Sequence, residues 1–376
     1  KMFEEGIQLK REFGADNVFD FSLGNPNVEP PQALQQALRD VVGEDIPGKH
    51  AYMPNAGYPE TRQAVAGYLS REHGLQITGE NIVMTVGAGG ALNVIFKTLL
   101  NPGDEVLIPA PYFVEYRFYV DNGGGVTRVV PTREDFSLDL KAVEAGINER
   151  TKAILINSPN NPTGKVYDAA SLRGLAEIMA RKSGQYRKAI YLVSDEPYRD
   201  IVYDGIRVPS VLKAYRNSLL AFSYSKSLSL SGERIGYIVA HPDCEALSEL
   251  MGGLVLCNRM LGFVNAPALM QRVVARVQGL NVDAEIYRQK RDLLCEGLTS
   301  VGYELTKPEG AFYLFLKAPS DDDVAFVRAL QEERILTVPG SGFGGPGYIR
   351  IAYCVADATI RNAIPGFGRV LGKYRK

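Results

Sequence analysis

Seven short apolar runs between residues 81 and 240, separated by stretches with helical spacing, constrain the fold of this chain more than any other feature. They are NIVMTV (81–86), DEVLIPA (104–110), VTRVVP (126–131), KAILINS (152–158), AIYLVSD (189–195), SLLAFSYS (218–225) and IGYIVA (235–240). Several are apolar at consecutive rather than alternating positions, as a strand covered on both faces requires. Strand and helix in alternation predict a mostly parallel seven-stranded sheet with helices on both faces. After residue 240 the spacing is helical to about residue 300, and shorter strands are predicted at GAFYLFLKA, ILTVPG and YIRIAYC. The length, 376 residues, exceeds what one core usually serves, so two lobes with a cleft between them are expected. The expected class is α/β: a large domain over residues 41–275, and a smaller α+β domain built from both chain ends, 1–40 and 276–376. The Gly/Pro clusters GNPN, GAGG, DNGGG and SGFGGPG read as loops.

Charge excludes several partners. With 42 basic and 43 acidic residues, no global field favours nucleic acid or an anionic membrane, which points to a small-molecule partner. No apolar run approaches the roughly 18 residues of a membrane span, and the start, KMFEEGIQLKREFG, reads as an amphipathic helix rather than a secretion signal. Four scattered cysteines, without a C-x-x-C pair, suggest neither a metal knuckle nor a disulfide framework, so a reducing, cytoplasmic setting is the default. Three histidines leave little material for histidine catalysis, and lysine, aspartate, tyrosine and arginine must carry any chemistry.

Ligands of open α/β sheets sit at the carboxyl ends of the strands, so the polar residues that end each apolar run are the candidates. SLLAFSYS runs into Lys226, and a lysine in a low-dielectric cleft loses solvation, its pKa falls, and its amine becomes a nucleophile. AIYLVSD ends on Asp195, whose carboxylate needs a positive partner if it is buried. NIVMTV leads into Gly87, Ala88 and Gly89, where backbone N–H groups and a helix start can hold a phosphate. AILINS leads into PNNPTG, where Asn161 offers an amide donor. Taken alone, each is an ordinary turn or ion pair. One cofactor accounts for all of them: pyridoxal 5′-phosphate has an aldehyde that a lysine captures as a Schiff base, a ring nitrogen that must stay protonated, a phenolate and a phosphate. Lys226 would supply the amine and Asp195 the partner of the ring N–H. Asn161 and Tyr198 would donate to the phenolate, and the glycine turn with Ser223, Ser225 and Arg234 would hold the phosphate.

The segments SYSKSLSLSGERIGY, SPNNPTG, SDEPY, TVGAGGALN with LLNPGDEV after it, PYFVEY, AYMPNAGYPETRQAVAGYL and GYIRIAYC, which lie along the chain in the family's order and spacing, resemble the signatures of the class I/II aminotransferases, pyridoxal-phosphate enzymes of fold type I. The resemblance spans nearly the whole chain. It implies that Phe113 stacks on the cofactor, where the aspartate branch most often has tryptophan, a residue this chain lacks. It further implies that Tyr52 crosses a homodimer interface to the partner's phosphate. Arg350 would bind the substrate α-carboxylate, with a backbone contact from Gly24.

The activity implied is transfer of an amino group from an L-amino acid to a 2-oxo acid, with Lys226 as the base that moves the Cα proton. Members acting on acidic substrates carry a second arginine from the partner subunit. Arg259 in CNRMLGFVNAP stands one position from that spacing, which leans the donor toward aspartate or glutamate and the acceptor toward 2-oxoglutarate. The same constellation serves a C–S β-lyase or a synthase acting on S-adenosylmethionine. A non-catalytic effector-binding domain of a regulator would bring a basic DNA-binding footprint that the charge balance does not show.

Overall fold

The computed structural model describes residues 2–375. The seven runs form one sheet: β1 (Ile82–Thr85), β2 (Glu105–Ala110), β3 (Val126–Pro131), β4 (Thr151–Asn157), β5 (Tyr191–Asp195), β6 (Ser218–Ser223) and β7 (Gly236–Ala240), in the order β1-β7-β6-β5-β4-β2-β3. β7 runs antiparallel to both of its neighbours, and the pairs β6–β5, β5–β4, β4–β2 and β2–β3 are parallel. Every other strand therefore ends on the same side. Consecutive burial along β1, β5, β6 and β7 agrees with helices on both faces, whereas β3, at the edge, is largely exposed.

Local chemistry starts and stops the helices. Asp168 accepts from Ser171 N–H at 2.6 Å at the start of Ala169–Tyr186, and Asp139 accepts from Lys141 and Ala142 at the start of Leu140–Gly146. The helix Pro59–His73 opens on proline and closes on Gly74 in the left-handed region. GAGG is not a loop: its glycines open the helix Gly87–Leu99, with Val86 as the cap, because the chain turns directly from β1 into the helix.

A second core surrounds an antiparallel sheet of β8 (Tyr313–Lys317), β9 (Val338–Pro339) and β10 (Tyr348–Ala352), in which β10 is central. Phe21, fully buried there, donates from its N–H to Leu336 and accepts from Ala352 N–H, both at 2.9 Å, so a segment near the start of the chain joins residues near its end. The helix Gln32–Gly43 instead places Leu34, Ala37 and Val41 in the core of the seven-stranded sheet. The division expected at residue 40 thus falls inside a helix whose apolar face is turned to the large sheet. The two cores meet where Gly310 N–H donates to Gly164 and Ala311 N–H to Ile201, both at 2.9 Å, which brings β8 alongside the carboxyl ends of β4 and β5. Among the described residues no helix is long and apolar enough to cross a membrane, and the four cysteines are free and buried.

Candidate active site

A cavity of about 320 Å³ opens at the carboxyl ends of the large sheet. β4 and its turn supply Asn157 and Asn161, β5 and its turn Asp195 and Tyr198, and β6 with the helical turn Tyr224–Ser227 supplies Ser223, Ser225 and Lys226. Ala88, Gly89, Phe113 and Arg234 complete this wall, and Gly24, Tyr313 and Arg350 face it from the segments of the second core. Residues spread over more than three hundred positions of sequence share one cavity because the strands end together.

Lys226 donates from Nζ to the carbonyl of Gly24 at 2.7 Å and lies 5.6 Å from the centre of the Phe312 ring. Burial, with Arg234 and Arg350 nearby, pushes its amine down to about 8 against the pull of Cys354. Without a carboxylate partner the amine gives up its proton far more readily than an exposed lysine, and half of it is neutral near pH 8. Gly24 gives its carbonyl to the lysine, and the backbone group it has for a carboxylate is its N–H. A Cβ on Gly24 would run into the Tyr313 hydroxyl, which is why the position is glycine.

Asp195 is buried, and burial pushes its carboxyl up to about 7. Oδ2 accepts from the Tyr116 hydroxyl at 2.6 Å, while Oδ1 is buried with no partner. Tyr116 is itself pinned edge-on to Phe113, ring centres 5.5 Å apart. Its hydroxyl stabilises the ionised carboxylate, so Tyr116→Phe should raise the pKa of Asp195. The acid limb of the activity–pH profile should then move upward by about one unit, and an unmoved limb would show that this hydrogen bond does not set the charge.

At the helix start, Ser223 and Ser225 share a hydrogen bond at 2.7 Å, and Arg234 reaches Ser225 Oγ at 3.5 Å and the Ser231 carbonyl at 2.8 Å. Two hydroxyls, a guanidinium and the helix amides make an anion seat. Gly87 is not among the cavity's lining residues but packs directly against the seat: a Cβ there would come within 3.0 Å of Arg234 and 3.4 Å of Ser223 Oγ. Opposite, Arg350 lies on the central strand of its sheet with little exposure, its guanidinium 4.7 Å from the ring centres of both Tyr313 and Phe343. It donates to Asn161 Oδ1 at 3.2 Å and to the Ser22 carbonyl at 2.7 Å, and its Nε has no partner. No acidic side chain among the described residues pairs with it. Asn161, with its oxygen occupied, keeps its NH₂ to donate. Tyr198 and Tyr313 share one hydrogen bond of 2.8 Å between two hydroxyls, which leaves one proton for another acceptor.

Tyr52 and Arg259 are not in the cavity. Tyr52 is 89% exposed, and Arg259, on the helix Leu247–Met260, contacts Asn55 Oδ1 at 3.5 Å. Within one chain neither lines the cavity. Sequence reasoning missed Asn157, Tyr116, Tyr119 and Tyr313. No local signal set Tyr116 apart from a core aromatic: it opens the helix Tyr116–Asn122, and Phe113 lies before that helix, so the two share no helix face.

The model of the family described as aminotransferase class I and II matches residues 16–367. The chain belongs to that family. The aspartate/prephenate aminotransferase of Thermus thermophilus is 34% identical over 98% of this chain and 94% of its own length. A probable aspartate aminotransferase of Methanocaldococcus jannaschii is 33% identical over 93% and 92%. Among solved structures, an amino transferase of Eubacterium rectale superposes with a TM-score of 0.97 at 42% identity, covering 100% of this chain and 95% of its own. The Thermus thermophilus aspartate aminotransferase solved with maleate gives 0.88 at 31%, covering 98% and 95%. As a class I and II aminotransferase, the chain is a transaminase of fold type I that uses pyridoxal 5′-phosphate. The cavity fits that group on its own terms: an orphaned carboxylate oxygen, a deprotonatable amine and an anion seat face one space.

Proposed function

We propose that this aminotransferase takes its amino group from an acidic L-amino acid, aspartate or glutamate, and passes it to a 2-oxo acid such as 2-oxoglutarate. The observation that carries the substrate's carboxylate is Arg350, a buried guanidinium between two rings with no acidic partner and a free Nε. Leaving such a cation unmatched is costly, and a planar carboxylate offers the two acceptors it lacks. The acidic side chain rests on the relatives named as aspartate aminotransferases and on Arg259.

Pyridoxal 5′-phosphate supplies an aldehyde for the amino group and a ring that accepts negative charge from the substrate's Cα. Lys226 would hold the cofactor's aldehyde through its amine, and with its proton affinity lowered by burial that amine would be the base that takes and returns the Cα proton. Asp195 would keep a proton on the ring nitrogen through its unpartnered Oδ1. Asn161 and Tyr198 would donate to the ring oxygen, and Phe113 would cover the ring. Ser223, Ser225, Arg234 and the amides of Ala88 and Gly89 would hold the phosphate, with Gly87 keeping that turn free of side chain. Gly24 positions Lys226 through its carbonyl.

The working unit we propose is a homodimer in which the partner completes the cavity. Exposed Tyr52, Leu256 and Met260, at 89, 55 and 61%, lie with Arg259 on one surface, linked by the contact of Asn258 and Arg259 with Asn55. Tyr52 would reach the partner's phosphate and Arg259 the partner's distal carboxylate. The decisive experiment is a half-reaction screen: holoenzyme is mixed with single amino acids, and conversion of the bound cofactor to its amine form is followed by absorbance. Aspartate or glutamate should convert it fastest, and conversion by non-acidic donors alone would end the proposal. Arg259→Ala should raise the KM for aspartate about ten-fold or more while sparing a non-acidic donor such as methionine. Equal kinetics for both donors would remove Arg259 from the site.

A further inference from the structure

The anion seat has an irregularity at residue 89. A glycine there contributes an amide but no side-chain donor, and a Cβ built on it would stand 3.1 Å from the Tyr119 hydroxyl oxygen and 3.7 Å from Tyr119 Cζ. The hydroxyl of Tyr119 therefore occupies the space into which a longer side chain at 89 would project. Tyr119 comes from the helix Tyr116–Asn122, packs its ring against the core beneath the sheet, and lines the cavity together with Ala88, Gly89 and Arg234. Its hydroxyl donates to the carboxylate of Glu115, an exposed side chain that also lines the cavity.

We propose that Tyr119 is a further binding residue for the cofactor phosphate, placing at the helix start the hydroxyl donor that Gly89 lacks, and that Glu115 is the competing acceptor that limits affinity. A hydroxyl has one proton, and a phosphate oxygen at the amides of Ala88 and Gly89 competes for it with the Glu115 carboxylate. Bonds to a charged acceptor are the strong ones, so the contest matters. Tyr119 is held by its packed ring, whereas Glu115 can turn into solvent. The handover therefore moves Glu115 and leaves Tyr119 in place. The charge of Glu115 also opposes a phosphate dianion at this distance, so its removal favours binding.

The inference rests on the phosphate seat assigned above, and the test separates the two. Equilibrium dialysis of the full chain measures dissociation constants for pyridoxal 5′-phosphate and for pyridoxal, which lacks the phosphate. Tyr119→Phe should weaken the phosphate ester by roughly ten-fold and leave pyridoxal unchanged. Glu115→Gln should tighten the phosphate ester several-fold and leave pyridoxal unchanged. An unchanged constant for the ester in Tyr119→Phe, or an equal loss for both compounds, overturns the role of Tyr119. An unchanged constant in Glu115→Gln overturns the competition. Arg234→Ala is the reference: if it weakens the ester selectively while Tyr119→Phe does not, only Tyr119 is excluded. If Arg234→Ala affects both compounds alike, the phosphate does not bind here and the seat itself is refuted.

Discussion

Replacing Lys226 with alanine is expected to lower turnover by more than roughly 10⁴-fold, the largest effect of any single substitution in this protein. The size follows from what else the cavity holds. Its other cations are the guanidiniums of Arg234 and Arg350, which stay protonated and can serve neither as nucleophile nor as base. No second amine lines the cavity. Hydride reduction of native holoenzyme should fix the cofactor to the peptide carrying Lys226, and the alanine variant should take up no covalent cofactor. The anion seat, Asp195 and the aromatic wall should still bind cofactor reversibly. Covalent cofactor in the variant, or turnover above about 1% of native, would transfer the role to another residue.

Asp195→Asn carries the second large effect, and it acts in opposite directions on activity and on stability. An amide cannot balance the charge of a protonated ring nitrogen, so kcat should fall by roughly 10²–10³-fold with cofactor still bound. In the cofactor-free protein the same change should stabilise the fold. Burial moves the carboxyl from 3.8 to about 7, so between those values the folded chain keeps a proton that the unfolded chain has released. Stability therefore falls as pH rises across that window, and above it the folded state bears a penalty of up to about 4 kcal/mol. Lys226, moved down from 10.5 to about 8, adds a penalty of the opposite pH dependence, present below about 8 and relieved as pH rises toward 10.5. The cofactor-free native chain should be least stable near pH 7–8, and Asp195→Asn should raise its Tm there by at least about 3 °C. A lower Tm in the cofactor-free variant would mean that Asp195 has a partner other than Tyr116.

Much of this site was legible because it is made of strand ends. Lys226, Asp195 and Asn161 follow apolar runs that could only be buried strands, and polar residues placed there point into the space beyond the sheet. The glycines after β1 marked the correct place, with Gly87 packed against the Arg234 and Ser223 side chains of the seat. The roles proposed for Tyr52 and Arg259 rest on family resemblance alone, since their surroundings in one chain are those of exposed residues. Tyr116, Tyr119 and Tyr313 were not legible as site residues, because aromatic residues in apolar stretches look like core until their hydroxyls are located.

Local patterning sufficed for the seven strands of the large sheet, the helices between them and the side of the sheet on which chemistry must lie. Burial of apolar residues depends on spacing along the chain, and spacing is written in the sequence. What only the tertiary structure decided is which polar atoms meet: Tyr116 with Asp195 across 79 positions, Arg350 with Asn161 across 189, and Lys226 with Gly24 across 202. A hydrogen bond depends on two atoms coming within about 3 Å, and no periodicity in a chain encodes a distance between segments brought together only by the packing of two cores.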